Sequence, residues 1–309
     1  MGERMSNTEQ VGKVTMAPQG PNFSKFVQGY WRLGAWEFTA KQRLDFLKSH
    51  IDLGITTVDN AAIYGNSEVL FGEALALEPS IRDDIEIVSK FGINGIATST
   101  TEKRVSHYDS SKAAIISSTE NSLKRLGVDY LDALLVHRPD MLMQADEVAE
   151  AFSELYKSGK VKPFGVSNFT VSQFQLLQSR LDKPLITNQI EINPLNFEVF
   201  EDGTTDLLQQ LRIKPMAWSC LAGGDILTSQ SDKSTRLRET LDDLIEELGA
   251  SSIEQVIYAW LFKHPSQPVA LLGTSNIGRI NTAVNALNLS MNTEQWYRVW
   301  VAAKGHGVA

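Results

Sequence analysis

Residues 54–59 read GITTVD, residues 85–90 read IEIVSK and residues 133–137 read ALLVH. Each is a short apolar or β-branched run that ends in an ionisable residue and precedes a loop and a longer segment with helical periodicity. Parallel strands need helical crossovers, so a repeat of such units favours an α/β fold closed into a (β/α)8 TIM barrel. The eight expected strands are Lys25–Val27, Thr56–Asp59, Ile85–Lys90, Ala133–His137, Pro163–Ser167, Ile186–Glu191, Lys214–Trp218 and Ala270–Gly273.

Helix starts and helix faces support the helical half of each unit. A capping-box pattern satisfies the free N–H groups of a first turn, and it predicts three helix starts. Between residues 251 and 264, apolar residues recur at spacings of three and four, which places them on one helix face that we expect to pack inward. The capping pairs are Thr39 with Gln42, Thr170 with Gln173 and Asn292 with Gln295, and the apolar face is Ile253, Val256, Ile257, Trp260 and Leu261.

Two connections are longer than the rest, from Gly92 to about Ser111 and from Leu221 to about Leu241. In a barrel both leave the carboxyl ends of strands, so we expect long loops at the C-terminal face that would act as lids. Tolerated surface insertions are the alternative. No interdomain linker interrupts the pattern, which predicts a single domain over residues 1–309, with residues 1–22 as a leader and an N-terminal cover of the barrel.

Charge and cysteine content exclude several classes of function. The 309 residues carry 37 acidic and 29 basic side chains, a net charge of -8, so no nucleic-acid partner is expected. The one cysteine, Cys220, can form neither an intrachain disulfide nor an ordinary zinc site, which predicts a cytoplasmic protein without a metal. No signal peptide or membrane span is expected. Gly2 and Ser6 fit a myristoylation pattern, for which a disordered leader is the alternative.

Three of the expected strands end in side chains that suggest proton chemistry. Asp59, Lys90 and His137 are these ends, and Tyr64 follows Asp59 by five residues. A lysine beside a phenol favours the phenolate and is expected to bring the pKa of Tyr64 near neutrality, while a carboxylate keeps the lysine charged. His137 would donate a hydrogen bond to a carbonyl oxygen or relay a proton. Taken singly, these residues also have explanations as a helix cap, a surface lysine, a core histidine and loop packing.

Several blocks of the sequence then resemble the aldo-keto reductases, in the order that family has them. They are GITTVDNAAIYGNSE at 54–68, IVSKFG at 87–92, LLVHRPD at 134–140, FGVSNF at 164–169, TNQIEINPL at 187–195 and MAWSCLAGGDI at 216–226. The resemblance extends from about Val27 to Arg298 and implies an NAD(P)H-dependent reductase of aldehyde or ketone carbonyls. It implies Tyr64 as general acid, assisted by Lys90 and His137, with Asp59 paired to Lys90.

The resemblance also implies contacts with a nicotinamide cofactor and a small-molecule carbonyl substrate. Arg279 would pair with a 2′-phosphate and a helix beginning near Ile277 would point N–H groups at an anion, so NADP(H) is favoured. Asn276 stands where relatives commonly carry a lysine, which keeps NAD(H) as the alternative. The implied cofactor residues are Gly29, Tyr30, Trp31 and Asp59, with Ser167, Asn168 and Gln189 at the carboxamide, Trp218 at the nicotinamide ring, Ser219, Leu221 and Gly223 at the pyrophosphate, and Gly273, Thr274, Ser275, Asn276 and Arg279 at the adenosine phosphate. The implied substrate pocket is Tyr64, His137, Trp31, Trp36, Phe91 and Arg138.

Two further functions stay open at this stage. Some relatives of the family serve as regulatory subunits that sense the cofactor, so a cofactor-sensing binding protein is an alternative on the same fold. A lysine at a barrel strand end also suggests a Schiff-base aldolase, with Lys90 as nucleophile. The sequence contains no signal that decides the natural substrate, the direction of the reaction or the oligomeric state.

Overall fold

The computed structural model of the chain describes residues 10–95 and 105–309, and twelve strands and twelve helices lie within them. The strands are β1 (Lys13–Thr15), β2 (Asn22–Ser24), β3 (Phe26–Gly29), β4 (Thr57–Asp59), β5 (Glu86–Phe91), β6 (Ile93–Asn94), β7 (His107–Tyr108), β8 (Ala133–Val136), β9 (Phe164–Ser167), β10 (Asn188–Glu191), β11 (Met216–Trp218) and β12 (Val269–Leu272). The helices are α1 (Ala40–Ile51), α2 (Ser67–Leu77), α3 (Lys112–Leu126), α4 (Ala145–Lys157), α5 (Val171–Gln178), α6 (Glu198–Glu201), α7 (Thr204–Leu211), α8 (Asp225–Thr228), α9 (Asp232–Leu248), α10 (Ile253–Lys263), α11 (Ile277–Asn285) and α12 (Thr293–Lys304).

Eight of the strands close into a parallel barrel, which confirms the predicted (β/α)8 fold. The order around the barrel is β3, β4, β5, β8, β9, β10, β11 and β12, and β12 pairs again with β3. Every predicted run corresponds to one barrel strand, with ends that differ by at most two residues. The pairing is in parallel register, for example Gly29 opposite Asp59, so all eight carboxyl ends meet at one mouth.

The helix starts follow the capping chemistry read from the sequence. Complete capping boxes begin α1, α5 and α12, as predicted. The predicted apolar face of α10 packs inward, with Val256, Ile257 and Trp260 fully buried. On the strand side, the Phe26 ring contacts the rings of Tyr258 and Phe262 edge-on, with ring centroids 5.2 Å apart in both pairs. Apolar packing between strands and helices therefore holds the barrel wall in place.

The two ends of the barrel differ. At the amino ends of the strands, β1 and β2 form a hairpin with buried Met16 and Phe23, and the Met16 carbonyl accepts from Lys214 N at 2.8 Å. Residues 1–9, with the Gly2 and Ser6 pattern, lie outside the described residues, so the single domain and its leader stay predictions. Within the described part of the chain, no helix is long and apolar enough to cross a membrane.

The two expected long loops at the mouth have different outcomes. In the first, β6 and β7 form a short antiparallel hairpin, and residues 96–104 lie outside the described residues. The second, from Leu221 to about Leu241, is wrong for most of its length because α8 and the first half of α9 occupy it. Ser231 caps α9, which buries only a narrow stripe that includes Leu237 and Leu241. The many charged residues around that narrow stripe obscure the helical period of α9 in the sequence.

Candidate active site

An ion pair and a phenol lie together at the mouth, where β4 and β5 end side by side. Lys90 Nζ donates to Asp59 Oδ1 at 2.6 Å, to the Asn60 carbonyl at 2.9 Å and to Tyr64 Oη at 3.1 Å. Asp59 and Lys90 are almost completely buried, while Tyr64 is half-buried. Tyr64 lies in a turn in which its N–H donates to the Ala61 carbonyl at 3.0 Å. The structure thus brings together Asp59, Lys90 and Tyr64, three of the four residues expected to take part in proton chemistry.

The pKa shifts assign a protonation state to these groups. Burial alone would lower the pKa of Lys90, but the contacts with Asp59 and Tyr64 outweigh it and raise that pKa above its ordinary value. Burial also raises the pKa of Tyr64, and the nearby charge of Lys90 offsets this only in part. The expected near-neutral pKa of Tyr64 is therefore wrong, because desolvation exceeds the attraction of one lysine. At neutral pH the site contains a lysine cation beside a protonated phenol.

His137 completes the group from the end of β8. Its ring meets the Tyr64 ring edge-on, with centroids 5.6 Å apart. Burial, followed by the charges of Lys90 and Arg138, lowers the pKa of His137 to about 2. A neutral imidazole can donate a hydrogen bond from one nitrogen, so of the two expected roles the geometry favours donation over relaying a proton.

The expected carboxamide ligands form a connected polar network across the barrel. Gln189 Nε2 donates to Asp59 Oδ2 at 2.7 Å, Ser167 Oγ donates to the Gln189 carbonyl at 2.8 Å, and Asn168 Nδ2 donates to Ser167 Oγ at 2.8 Å. Trp218 Nε1 in turn donates to Asn168 Oδ1 at 3.1 Å. These bonds hold the amides in fixed orientations at the ends of β9, β10 and β11, beside the catalytic candidates.

Aromatic and charged side chains line the rim of the mouth. Trp31 is 64% exposed, and its ring centroid lies 6.4 Å from that of Tyr64. The guanidinium carbon of Arg138 lies 5.7 Å from the Trp218 ring centroid. Trp31 therefore lies beside Tyr64 and Arg138 lies beside Trp218, and the contacts of these three residues with a ligand stay predictions.

Three aromatic residues expected near the ligand pack in the wall instead. Tyr30 is 1% exposed and shares a 2.9 Å hydrogen bond with His50 Nε2. Trp36 lies against Tyr30 and Phe46, and Phe91 lies edge-on to Phe152 of α4. Successive strand residues face opposite sides, so Phe91 points outward because Lys90 points inward. The expectation that Trp36 and Phe91 line the substrate pocket is therefore wrong, and so is a contact of the Tyr30 side chain with the cofactor.

The segment after β11 has an open backbone and small residues, two features that suit a phosphate site. A Cβ at Gly223 would meet no atom within 4 Å, so the backbone there is open on that side. Ser219 and Leu221 precede it and are half-buried, and Ser219 has a positive φ of 55°. An open backbone with small residues fits the approach of a pyrophosphate.

The segment after β12 bears the residues expected at an adenosine phosphate. A Cβ at Gly273 would likewise meet no atom within 4 Å, and Thr274 and Ser275 are half-buried beside it. Arg279 is exposed, and its side chain makes no hydrogen bond or ion pair with any residue in the ranges 10–95 and 105–309. A free guanidinium near hydroxyl groups is a donor set that fits a phosphate.

The N-terminus of α11 differs from the expectation. The helix begins at Ile277 as predicted, but the Asn276 side chain accepts from Gly278 N at 2.8 Å and from Arg279 N at 3.2 Å. Asparagine is among the best N-cap residues, because its side-chain oxygen satisfies these donors. The expectation that the first helical N–H groups point at an anion is wrong for these two donors.

Some polar residues at the mouth were not found by sequence reasoning. Glu191 ends β10 and accepts from Asn193 Nδ2 at 2.9 Å, and Asn193 Nδ2 also donates to the Ser219 carbonyl at 3.1 Å. Asn60 supplies a carbonyl to Lys90. Glu191 could have been found as an ionisable residue at a strand end, whereas the carbonyl contact of Asn60 has no sequence signal.

Comparisons with known proteins agree with this fold. The model of the aldo/keto reductase family matches residues 25–302. The chain is 52% identical to the oxidoreductase YdhF of Escherichia coli, over 96% of this chain and 99% of that protein. It is 40% identical to a 6-dehydroglucose reductase of Agrobacterium fabrum, over 93% of this chain and 96% of that protein. A solved glycerol dehydrogenase of Gluconobacter oxydans shares the fold, with a TM-score of 0.81, 21% identity and coverage of 97% and 96% of the two chains.

Proposed function

The chain belongs to the aldo/keto reductase family, and we propose that it is an NADPH-preferring reductase that converts aldehyde or ketone carbonyls to alcohols, with Tyr64 as general acid. One observation carries this proposal. A buried, charged Lys90 lies 3.1 Å from Tyr64 Oη and 2.6 Å from Asp59 Oδ1, with a neutral His137 alongside. This is the arrangement needed to deliver one proton to an oxygen that gains negative charge.

Each of the four side chains has a separate role in the proposed reaction. Bound nicotinamide would supply a hydride to the carbonyl carbon. Tyr64 gives its proton to the carbonyl oxygen as negative charge develops there, and Lys90 stabilises the phenolate that remains. Asp59 keeps Lys90 charged, while His137 orients the substrate oxygen by donating an N–H. Because Tyr64 is protonated at neutral pH, the acid is ready before the substrate arrives.

The residues that would hold the cofactor lie at the same mouth of the barrel. Ser167, Asn168 and Gln189 would hold the carboxamide, since amides and hydroxyls suit a neutral group. Arg279 would take the 2′-phosphate, which favours NADPH, and the segments around Gly223 and Gly273 would take the other phosphates. The capping role of Asn276 is an additional reason to assign the 2′-phosphate to side chains rather than to helix N–H groups.

The substrate is a small carbonyl compound, and the polar rim offers a first choice within that class. A relative 40% identical is named for 6-dehydroglucose, so a sugar aldehyde heads the substrates to be tried. Arg138 and Glu191 at the mouth would suit the hydroxyl groups of such a compound. The cytoplasm stays the proposed compartment, on the single cysteine of the chain.

The decisive experiment measures the initial rate of NADPH oxidation, with NADH in parallel, against sugar aldehydes, simple aldehydes, ketones and quinones. Tyr64→Phe should lower kcat by about 10²–10⁴ while cofactor affinity stays within about twofold, because only the proton donor is lost. Tyr297→Phe is the matched control, since Tyr297 is half-exposed on α12 and should keep full activity.

Two results would contradict the proposal. Near-normal turnover in Tyr64→Phe would remove Tyr64 from the acid role. Cofactor binding without turnover on any substrate would favour the cofactor-sensing alternative. The aldolase alternative has its own test, since borohydride should trap a carbonyl substrate on Lys90 only if that lysine is a neutral nucleophile. The raised pKa of Lys90 argues against that state.

A further inference from the structure

A buried carboxylate lies four residues beyond Tyr64 and outside the site described above. Glu68, in the first turn of α2, is 2% exposed. Its Oε1 accepts from Ser89 Oγ at 2.6 Å, and its Oε2 accepts from Arg125 Nε at 2.7 Å. Burying a carboxylate is unfavourable unless it is paired and hydrogen-bonded, and Glu68 meets both conditions.

The contacts of Glu68 close a ring that contains the catalytic candidates. The Tyr64 carbonyl accepts from Ser67 N at 3.1 Å, which fixes Tyr64 to the first turn of α2. Glu68 then reaches across to Ser89, and Ser89 is joined by a peptide bond to Lys90. The ring closes where Lys90 Nζ donates to Tyr64 Oη at 3.1 Å. The distance between Lys90 Nζ and Tyr64 Oη therefore depends on the hydrogen bond between Glu68 and Ser89.

Both ends of the Tyr64 turn are fastened to neighbouring strands. At the N-terminal end of the turn, Ala62 N donates to the Lys90 carbonyl at 3.1 Å. At the C-terminal end of the turn, Ser67 Oγ donates to the Tyr30 carbonyl at 2.8 Å. The next residue, Glu68, makes the contact with Ser89 of β5. Without Glu68, the C-terminal end of the turn would still be tied to Tyr30 after β3, but no other side-chain hydrogen bond within residues 10–95 and 105–309 would tie that end to β5, the strand that bears Lys90.

The packing of α2 against α3 explains how Arg125 reaches Glu68. Gly72 lies one turn after Glu68, and a Cβ there would overlap the carbonyl oxygen of Arg125. The glycine lets the end of α3 approach closely, which places the Arg125 guanidinium against the carboxylate. Arg125 is itself half-buried, so the pair is partly shielded from water.

We propose that Glu68 is a positioning residue for the reaction, holding Tyr64 at hydrogen-bond distance from Lys90 through its bond to Ser89. The proposal rests on the proposed function, since it assumes that Tyr64 delivers the proton. A misplacement of about 1 Å at a reacting group can lower the rate by roughly 10²-fold, so loss of this bond should act on kcat. The segments proposed to hold the cofactor's phosphates lie after β11 and β12, away from this contact.

Ser89→Ala is the sharpest test, because it removes the bond to β5 and leaves the pair of Glu68 with Arg125 intact. We expect kcat to fall by roughly 10-fold to 10²-fold, while KM for NADPH stays within about twofold. The solvent deuterium isotope effect on kcat should increase, because proton transfer becomes the slower step. Glu68→Ala should show the same changes, and Ser89→Ala supplies the result if Glu68→Ala does not fold.

Two further variants separate positioning from general structural support. Glu68→Gln can accept from Arg125 and donate to Ser89 Oγ, so it should keep kcat within about threefold of the unaltered protein. Glu73→Ala is the matched control on the same helix, because Glu73 is half-exposed and pairs with Arg43 at 2.8 Å without touching β5. It should leave kcat and the isotope effect unchanged.

The outcomes are distinguishable when Tyr64→Phe is assayed alongside. If Tyr64→Phe loses turnover but Ser89→Ala behaves like Glu73→Ala in both kcat and isotope effect, the role of Glu68 is refuted and the proposed function stands. If Tyr64→Phe keeps its turnover, both proposals are refuted. A fall in kcat confined to Ser89→Ala and Glu68→Ala, with recovery in Glu68→Gln, supports the positioning role.

Discussion

Replacement of Lys90 by methionine removes the charge that the phenolate of Tyr64 would need. The Lys90 Nζ to Tyr64 Oη distance is 3.1 Å. At an effective dielectric constant of about 20, two unit charges at that distance interact by roughly 5 kcal/mol. If the proton is about half transferred in the transition state, roughly half of this energy is felt there. The expected loss in kcat for carbonyl reduction is therefore about 10²-fold.

The same substitution should also destabilise the fold, so the assay needs a second variant. Lys90→Met leaves Asp59 buried with only the bond from Gln189, and an uncompensated buried charge costs about 3–5 kcal/mol. Asp59→Asn combined with Lys90→Met removes that charge and should recover most of the stability in urea unfolding, but not the rate. A kcat within tenfold of the unaltered protein in both variants would refute the assigned role of Lys90.

Three other predictions address the cofactor, the pH dependence of stability and the helix packing. Arg279→Ala should raise the Kd for NADPH by about 10–100-fold and leave that for NADH within about twofold in fluorescence titrations, and equal losses would make Arg279 structural. Burial lowers the pKa of His50 to about 4, so the folded state binds fewer protons than the unfolded state between pH 4 and 6.5. Stability is then fully present above pH 6.5 and falls with pH below it, by about 2 kcal/mol at pH 5, and His50→Gln should flatten this slope in urea unfolding. Gly72→Ala should lower the free energy of unfolding by about 1–3 kcal/mol, since the new methyl group overlaps Arg125; an increase would refute the close approach of α2 and α3.

The barrel could be read from the sequence because its strands are short apolar runs with distinct ends. Asp59, Lys90 and His137 were found as ionisable residues at those ends, where parallel strands must bring them together. The start of α11 was also predictable, since Asn276 is a strong cap. Local patterns of this kind predict where an element begins and which residues lie near the mouth.

Other features depend on the environment that the fold creates. The protonation state of Tyr64 follows from the balance of burial and charge, and burial appears only once the chain is folded. The outward direction of Phe91 follows from strand alternation, because the neighbouring Lys90 points into the barrel. The packing of Tyr30 and Trp36 against Phe46 depends on α1, which no local pattern connects to these residues. The residues 221–241 were misread because charged residues outnumber the buried leucines of α9.

The polar chain from Lys90 through Asp59 and Gln189 to Ser167 joins β5, β4, β10 and β9 across the interior of the barrel. Asp59 and Lys90 therefore contribute to folding in addition to their proposed part in the reaction, so we expect selection for stability to retain them even in a descendant that no longer turns over substrate. Tyr64 and His137 lie at the edge of this polar chain. Tyr64 accepts from Lys90 but lies in the loop after β4, and within residues 10–95 and 105–309 neither side chain joins two barrel strands. If Tyr64 is the proton donor that we propose, we expect its loss to mark the change from an enzyme to a cofactor sensor within such a lineage.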